Sequence, residues 1–179
     1  MDAHPERLLD YVYAVLNWPS YRTRYADALR YDFARIPLTK DAGSFKRVSR
    51  LGEELVALHL LEHPDVAGAM PALDGDDTAT IEQPHYVEAE AAVYLAPALV
   101  ARDIQPAVWR YQQGAYPVLR NSLEARQGRR LTSDEFVEFR RLAGAIHLTL
   151  ERLVDLEQIM PEVMTTALTA DELLGPLVS

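Results

Sequence analysis

Apolar side chains recur every three or four residues along two long stretches of this 179-residue chain, and the block between them contains no basic side chain. That spacing lines one face of a helix, so each stretch has to bury a helical stripe against something else. In the first stretch, PERLLDYVYAVLN places Leu8, Leu9, Val12, Val15 and Leu16 at helical spacing, with Pro5 where a first-turn proline is tolerated. Pro19 opens a second helix whose stripe is Tyr21, Tyr25, Leu29 and Phe33. Pro37 disfavours the helical region for Ile36, so IPLTK is extended. The clearest amphipathic helix of this half runs from about Ser44 to His63, carries Phe45, Val48, Leu51, Leu55, Leu58 and Leu61, and is ended by Pro64.

In the second stretch Pro106 starts a short helix through Trp109 to Gln113, with Gly114 as its stop, and PVLRNSLEARQ forms another that Gly128 ends. Thr132 and Glu135 are spaced as a capping box, in which a hydroxyl and a carboxylate satisfy the free amides that open a helix. The long helix that follows carries Phe136, Phe139, Leu142, Ile146, Leu150, Leu153 and Leu156 inward and stops before Pro161. Thr169 and Glu172 repeat the capping pattern ahead of a last short helix. Between the halves, residues 64 to 78 read as a surface loop, and residues 79 to about 103 as two or three short strands. The expected fold is therefore mainly α (α+β): one domain over residues 1–179, with a small antiparallel β-sheet inserted between two helical halves.

Charge follows the same division. Residues 62 to 101 hold eight acidic and no basic side chains, whereas residues 102 to 141 hold eight basic and five acidic ones. A net charge of −9 argues against a protein that coats nucleic acid non-specifically, since that affinity comes from cations replacing phosphate counterions. The excess of positive charge is local, and 16 of the 18 basic residues are Arg, which suits forked contacts to phosphate and guanine. No apolar run approaches the roughly 20 residues of a membrane span, and the N-terminus is polar, so a cytoplasmic protein is expected. With no Cys there is no disulfide, thiolate metal site or Cys nucleophile.

Two stretches resemble a known family. DYVYAVLNWPSYRTRYADALRYDFARIPL followed by RLGEELVALHLLE, and then VWRYQQGAYPVLRNSLEARQGRRLTSDEFVEFRRLAGAIHLTLERLVDLE, are similar to the C-terminal specificity (target-recognition) region of type ISP restriction-modification enzymes and N6-adenine DNA methyltransferases. The resemblance covers about residues 8–61 and 104–158, leaving the acidic insert at about 62–103 unmatched; Ala115 and Ser122 stand where the family usually has Gly and Trp. It implies a non-catalytic DNA-recognition domain that engages double-stranded DNA for a methyltransferase or restriction domain or subunit elsewhere. S-adenosylmethionine would then bind only in that partner. The residues agree, because no two glycines are two apart, no Asp-Pro-Pro-Tyr or Asn-Pro-Pro-Phe holds a target adenine, and there is no Walker sequence.

The sharpest candidates for DNA contact are Arg126, Gly128, Arg129 and Arg130, with Arg120 upstream, Arg140 and Arg141 on the next helix, and Tyr116. Arg clamps phosphates and guanine edges through two parallel bonds, and a glycine lets backbone amides approach closely. The competing reading is a helix end that attracts cations, with Asp134 and Glu135 near enough to pair with them. Tyr21, Tyr25 and Tyr31 beside Arg22, Arg24 and Arg30 admit stacking on DNA or a place in the core. Two further functions stay open: a helical protein-interaction module without DNA binding, and a zinc hydrolase built on His59, Glu62 and His63, which match H-x-x-E-H.

Overall fold

The structure, a computed structural model, describes residues 4–169 and Glu172. It is mainly helical with one small antiparallel sheet, as the periodicities predict. The chain divides into two compact units, residues 1–57 with 151–179 and residues 58–150, and these boundaries differ from those of the two resembling stretches.

The first unit contains helix α1 (Pro5–Asn17), short helices α2 (Pro19–Arg24) and α3 (Ala28–Tyr31), most of α4 (Ala42–His59) and the end of the long helix. Its core is Tyr11, Ala14, Val15, Val48, Leu55, Leu156, Met160 and Val163, all fully buried. Gly52 is required there, because a Cβ on it would lie 1.9 Å from the carbonyl oxygen of Asp10; only a bare backbone lets α4 come so close to α1. Tyr11 stacks on Phe45 at 4.9 Å and donates its hydroxyl to the Pro37 carbonyl at 2.6 Å, which pins the extended 36–40 segment. Burial pushes the Tyr11 phenol up to about 12.

Here the expected aromatic stripe stops early. Tyr21 is buried and Tyr25 partly so, but the helix breaks at Tyr25, leaving Leu29 at the edge of exposure and Phe33 94% exposed. A break between Arg24 and Ala28 changes the phase of everything beyond it, so the 3.6-residue stripe no longer points one way.

In the second unit, strands β1 (Leu73–Gly75), β2 (His85–Val87), β3 (Ala92–Ala96) and β4 (Leu99–Ala101) form an antiparallel sheet in the order β1-β4-β3-β2. The sheet starts earlier than the expected residue 79, inside what reads as a loop, and a 3-10 turn at Pro64–Ala69 occupies the start of that segment. A short hairpin, β5 (Gln112–Gln113) and β6 (Tyr116–Pro117), replaces the end of the helix expected to reach Gln113; that helix, α5, spans only Pro106–Trp109. Gly114 takes φ 64° and Ala115 does not take a positive φ, so only the first turn residue needs glycine. Helices α6 (Val118–Glu124) and α7 (Ser133–Thr165) complete the fold. Leu95, Leu99, Ile104, Leu119, Leu123 and Phe139 form the centre of this unit's core.

Two helix ends depart from expectation. Helix α4 stops at His59, and Leu61 adopts φ 60°, so the helix ends before Pro64. Helix α7 runs through Pro161 to Thr165, because Met160 and Val163 on either side are fully buried and their packing offsets the lost amide. The capping box that starts α7 is present, with the Thr132 amide donating to Glu135 Oε2 at 2.9 Å and the Glu135 amide to Thr132 Oγ1 at 3.3 Å. Thr169 and Glu172 form the same reciprocal pair, but the short helix expected beyond them lies outside the described residues.

Candidate nucleic-acid interface

The turn from α6 into α7 carries the predicted cations. Helix α6 ends at Glu124, and Gly128 turns the chain with φ 86°, where no neighbouring atom lies within 4 Å of the position a Cβ would take. The turn is fastened to the segment before β2: the Gly128 amide donates to the Ile81 carbonyl at 2.9 Å, the Ile81 amide to the Arg129 carbonyl at 2.9 Å, and Arg130 bridges to Thr80. Ile81 itself is buried, so an apolar anchor in the acidic insert holds the basic turn in place.

Glu135 draws two of the arginines together. Arg129 meets it through both terminal nitrogens, at 2.9 and 2.5 Å, and Arg126 Nε lies 3.5 Å from it. The hydrogen bonds from Arg129 and from the Thr132 amide hold the Glu135 carboxyl far below the usual carboxylate range, and the same bond raises Arg129. Arg126 also donates to the Ser122 carbonyl at 2.6 Å and to Glu138 at 2.8 Å, and its side chain is only 18% exposed. Asp134, expected as a pairing partner, is replaced in that role by Glu138, which sits one helical turn beyond Glu135 and can be found at i+3 in the sequence. Ser122, at one of the two departures from the family pattern, thus supplies a main-chain acceptor, and its hydroxyl bonds back to the Leu119 carbonyl at 2.7 Å.

The remaining candidates are separated from this pair. Arg120 is exposed and bonds to Glu124 one turn on, at 2.7 Å. Arg140 donates to the Pro71 carbonyl at 2.7 Å and Arg141 to the Leu61 carbonyl at 2.6 Å, so both tie α7 to neighbouring main chain. Tyr116 is 55% exposed on β6. Arg130 is exposed and, among the described residues, makes no side-chain hydrogen bond or ion pair. The acidic insert is not remote from it. Asp76 is held below its usual range, first by the Thr78 hydroxyl and amide and in lesser part by the charge of Arg130.

The zinc geometry is absent at His59 and His63. With α4 ending at His59 and the chain reversing at Leu61, the two rings do not share a helical turn, and His63 Nδ1 instead accepts the Asp65 amide at 3.3 Å. Among the described residues no three His, Cys, Asp or Glu side chains gather as a metal site would require. No helix among those residues is long and apolar enough to cross a membrane.

Solved structures share this fold. A nuclease-deletion mutant of the Type ISP restriction-modification enzyme LlaGI in complex with a DNA substrate mimic is 18% identical at a TM-score of 0.61, over 87% of this chain and 16% of that one. The DrdV–DNA complex is 23% identical at 0.66, over 87% of this chain and 18% of that one. The ATP-dependent Type ISP enzyme LlaBIII bound to DNA is 15% identical at 0.60, over 89% and 11%. The chain therefore spans less than a fifth of the length of each of these structures. No curated protein matches it. The profile of the Type ISP C-terminal specificity domain matches residues 2–144, and the chain belongs to that family.

Proposed function

We propose that this chain recognises double-stranded DNA as the specificity module of a restriction-modification enzyme, acting with a methyltransferase domain or subunit and doing no chemistry itself. The observation that carries the proposal is the family match over residues 2–144, supported by three structural relatives that are all complexes with DNA. The missing cofactor loop and adenine-holding sequence support a non-catalytic role, with S-adenosylmethionine bound only in the partner.

Within the module the roles divide by what each cation already touches. Arg130, whose side chain makes no hydrogen bond or ion pair among the described residues, and Arg120, in an exposed i,i+4 pair that contributes little, are the groups ready to meet phosphate. Arg129 is half exposed and shares its charge with Glu135. Gly128 leaves open space beside its Cα while its amide stays on the Ile81 carbonyl, and Tyr116 offers a ring from the neighbouring hairpin. Arg126, Arg140 and Arg141 position the turn and α7 through their carbonyl contacts. A salt titration of duplex binding tests this. Replacing Arg120 and Arg130 by Ala should each lower the salt slope by roughly one and weaken all sequences alike. Unchanged slopes, or a parent that binds no duplex at low salt, would refute the reading.

A further inference from the structure

The segment that lies largely outside the first core, with only Tyr25 packed against it, has its own chemistry. Residues 22–35 hold four arginines against two aspartates, a net charge of +2 in a chain of −9. Tyr31 is 87% and Phe33 94% exposed, and both lie between Arg30 and Arg35. Phe33 and Arg35 line a groove of about 440 Å³ with Tyr21, Tyr25, Leu29 and Asp32, and Tyr31, Arg24 and Arg30 belong to the same segment outside that lining. Arg24 stands over the Tyr25 ring at 5.6 Å, and Tyr21 donates its hydroxyl to the Arg35 carbonyl at 3.0 Å, which fixes the wall where the chain leaves the groove. Arg35 reaches Asp32 only at 3.8 Å, with the two side chains 92% and 60% exposed, so the pair is weak and the guanidinium is available.

Flat rings alternating with guanidinium groups are what unstacked nucleic acid requires, because bases stack on aromatic faces and cations track the phosphates. An intact duplex hides its base faces and has no use for two such exposed rings. A protein partner would cover the apolar side chains but leave the arginines without a purpose. The geometry points to this groove and the exposed segment beside it as a site for unstacked DNA, a nucleotide out of its helix or a short single strand, with Phe33 in the groove and Tyr31 beside it stacking on bases, and Arg35 in the groove with Arg24 and Arg30 outside it on phosphates. The inference rests on the reading of the chain as DNA-binding, but it uses residues other than the turn at Gly128–Arg130.

Fluorescence anisotropy of the full chain with a labelled oligothymidine of about 15 nucleotides tests it, beside an intact duplex and the same duplex with one unpaired base. The parent should bind the single strand and prefer the unpaired-base duplex to the intact one. Tyr31→Ala with Phe33→Ala removes two stacking rings and should weaken single-strand binding by at least roughly 30-fold while leaving the intact duplex unchanged. Phe33→Leu should lose binding too, whereas Phe33→Trp, which keeps a flat ring, should bind at least as tightly as the parent, and this holds even if the double variant folds poorly. No single-strand binding by the parent, equal loss for both DNAs, or weaker binding by Phe33→Trp would overturn the inference. Phe33→Leu binding like the parent would also overturn it and mark the groove as an apolar protein-docking face. Intact-duplex binding by the parent reports on the earlier reading separately.

Discussion

At the scale of single residues, Glu135 shows how one side chain can serve two structures. It closes the capping box of α7 and gathers Arg129 and Arg126, so the start of the helix and the basic turn share one carboxylate. Glu135→Gln keeps an oxygen for the Thr132 amide and removes only the charge. Because the folded-state carboxyl lies far below the ordinary 4.5, its stabilisation is present above that value and lost as pH falls below it. The melting-temperature gap between parent and variant should therefore be widest above about pH 5 and narrow toward about pH 3. Glu172, held at about 2 by Lys40 and Thr169, loses its stabilisation over the same acidic range in both proteins, so the difference isolates Glu135. A gap that does not change with pH would place the effect in packing instead.

At the scale of elements, helix starts were legible and helix ends were not. The start of α1 at Pro5, the capping box at Thr132 and the extended 36–40 segment follow from local chemistry, and all are present. A helix stop depends on what the following residues can bury, which is why α4 ends before its proline and α7 continues through one. Pro161 lacks the amide for an i−4 bond, and only buried neighbours hold the helix there. Pro161→Ala should therefore stabilise the protein, by up to about 3 kcal/mol, measured by denaturant unfolding. A loss of stability would mean that the proline's kink is needed by the packing of Met160 and Val163. The aromatic stripe of residues 21–33 fails for a related reason: a three-residue break between Arg24 and Ala28 resets the phase, and periodicity cannot show that a helix is interrupted.

At the scale of the whole molecule, α4 and α7 each contribute residues to both compact units, so melting either unit would break helices in the other. One cooperative transition is the expected outcome. The two tryptophans report on it separately, Trp18 in the first unit and Trp109 in the second. Trp18→Phe and Trp109→Phe variants should show coincident denaturant midpoints by fluorescence and by circular dichroism, once each is compared with its own dichroism curve. Midpoints that separate would show that the units unfold independently.

The sequence by itself determined the mainly helical class with a small antiparallel sheet, the family, and the absence of any cysteine thiol, because periodicity, capping and motif spacing are local properties of the chain. It also named the basic turn. Only the tertiary structure decided what each arginine is free to do. Arg140 and Arg141 are spent on carbonyls from other segments, Arg126 on the Ser122 carbonyl one turn back and on Glu138, Arg129 shares Glu135, and Arg130 alone of that turn makes no side-chain hydrogen bond or ion pair among the described residues. Such partners lie up to 80 residues away. Whether a charge faces solvent or a buried acceptor depends on which distant backbone the fold brings beside it, and spacing along the chain does not carry that information.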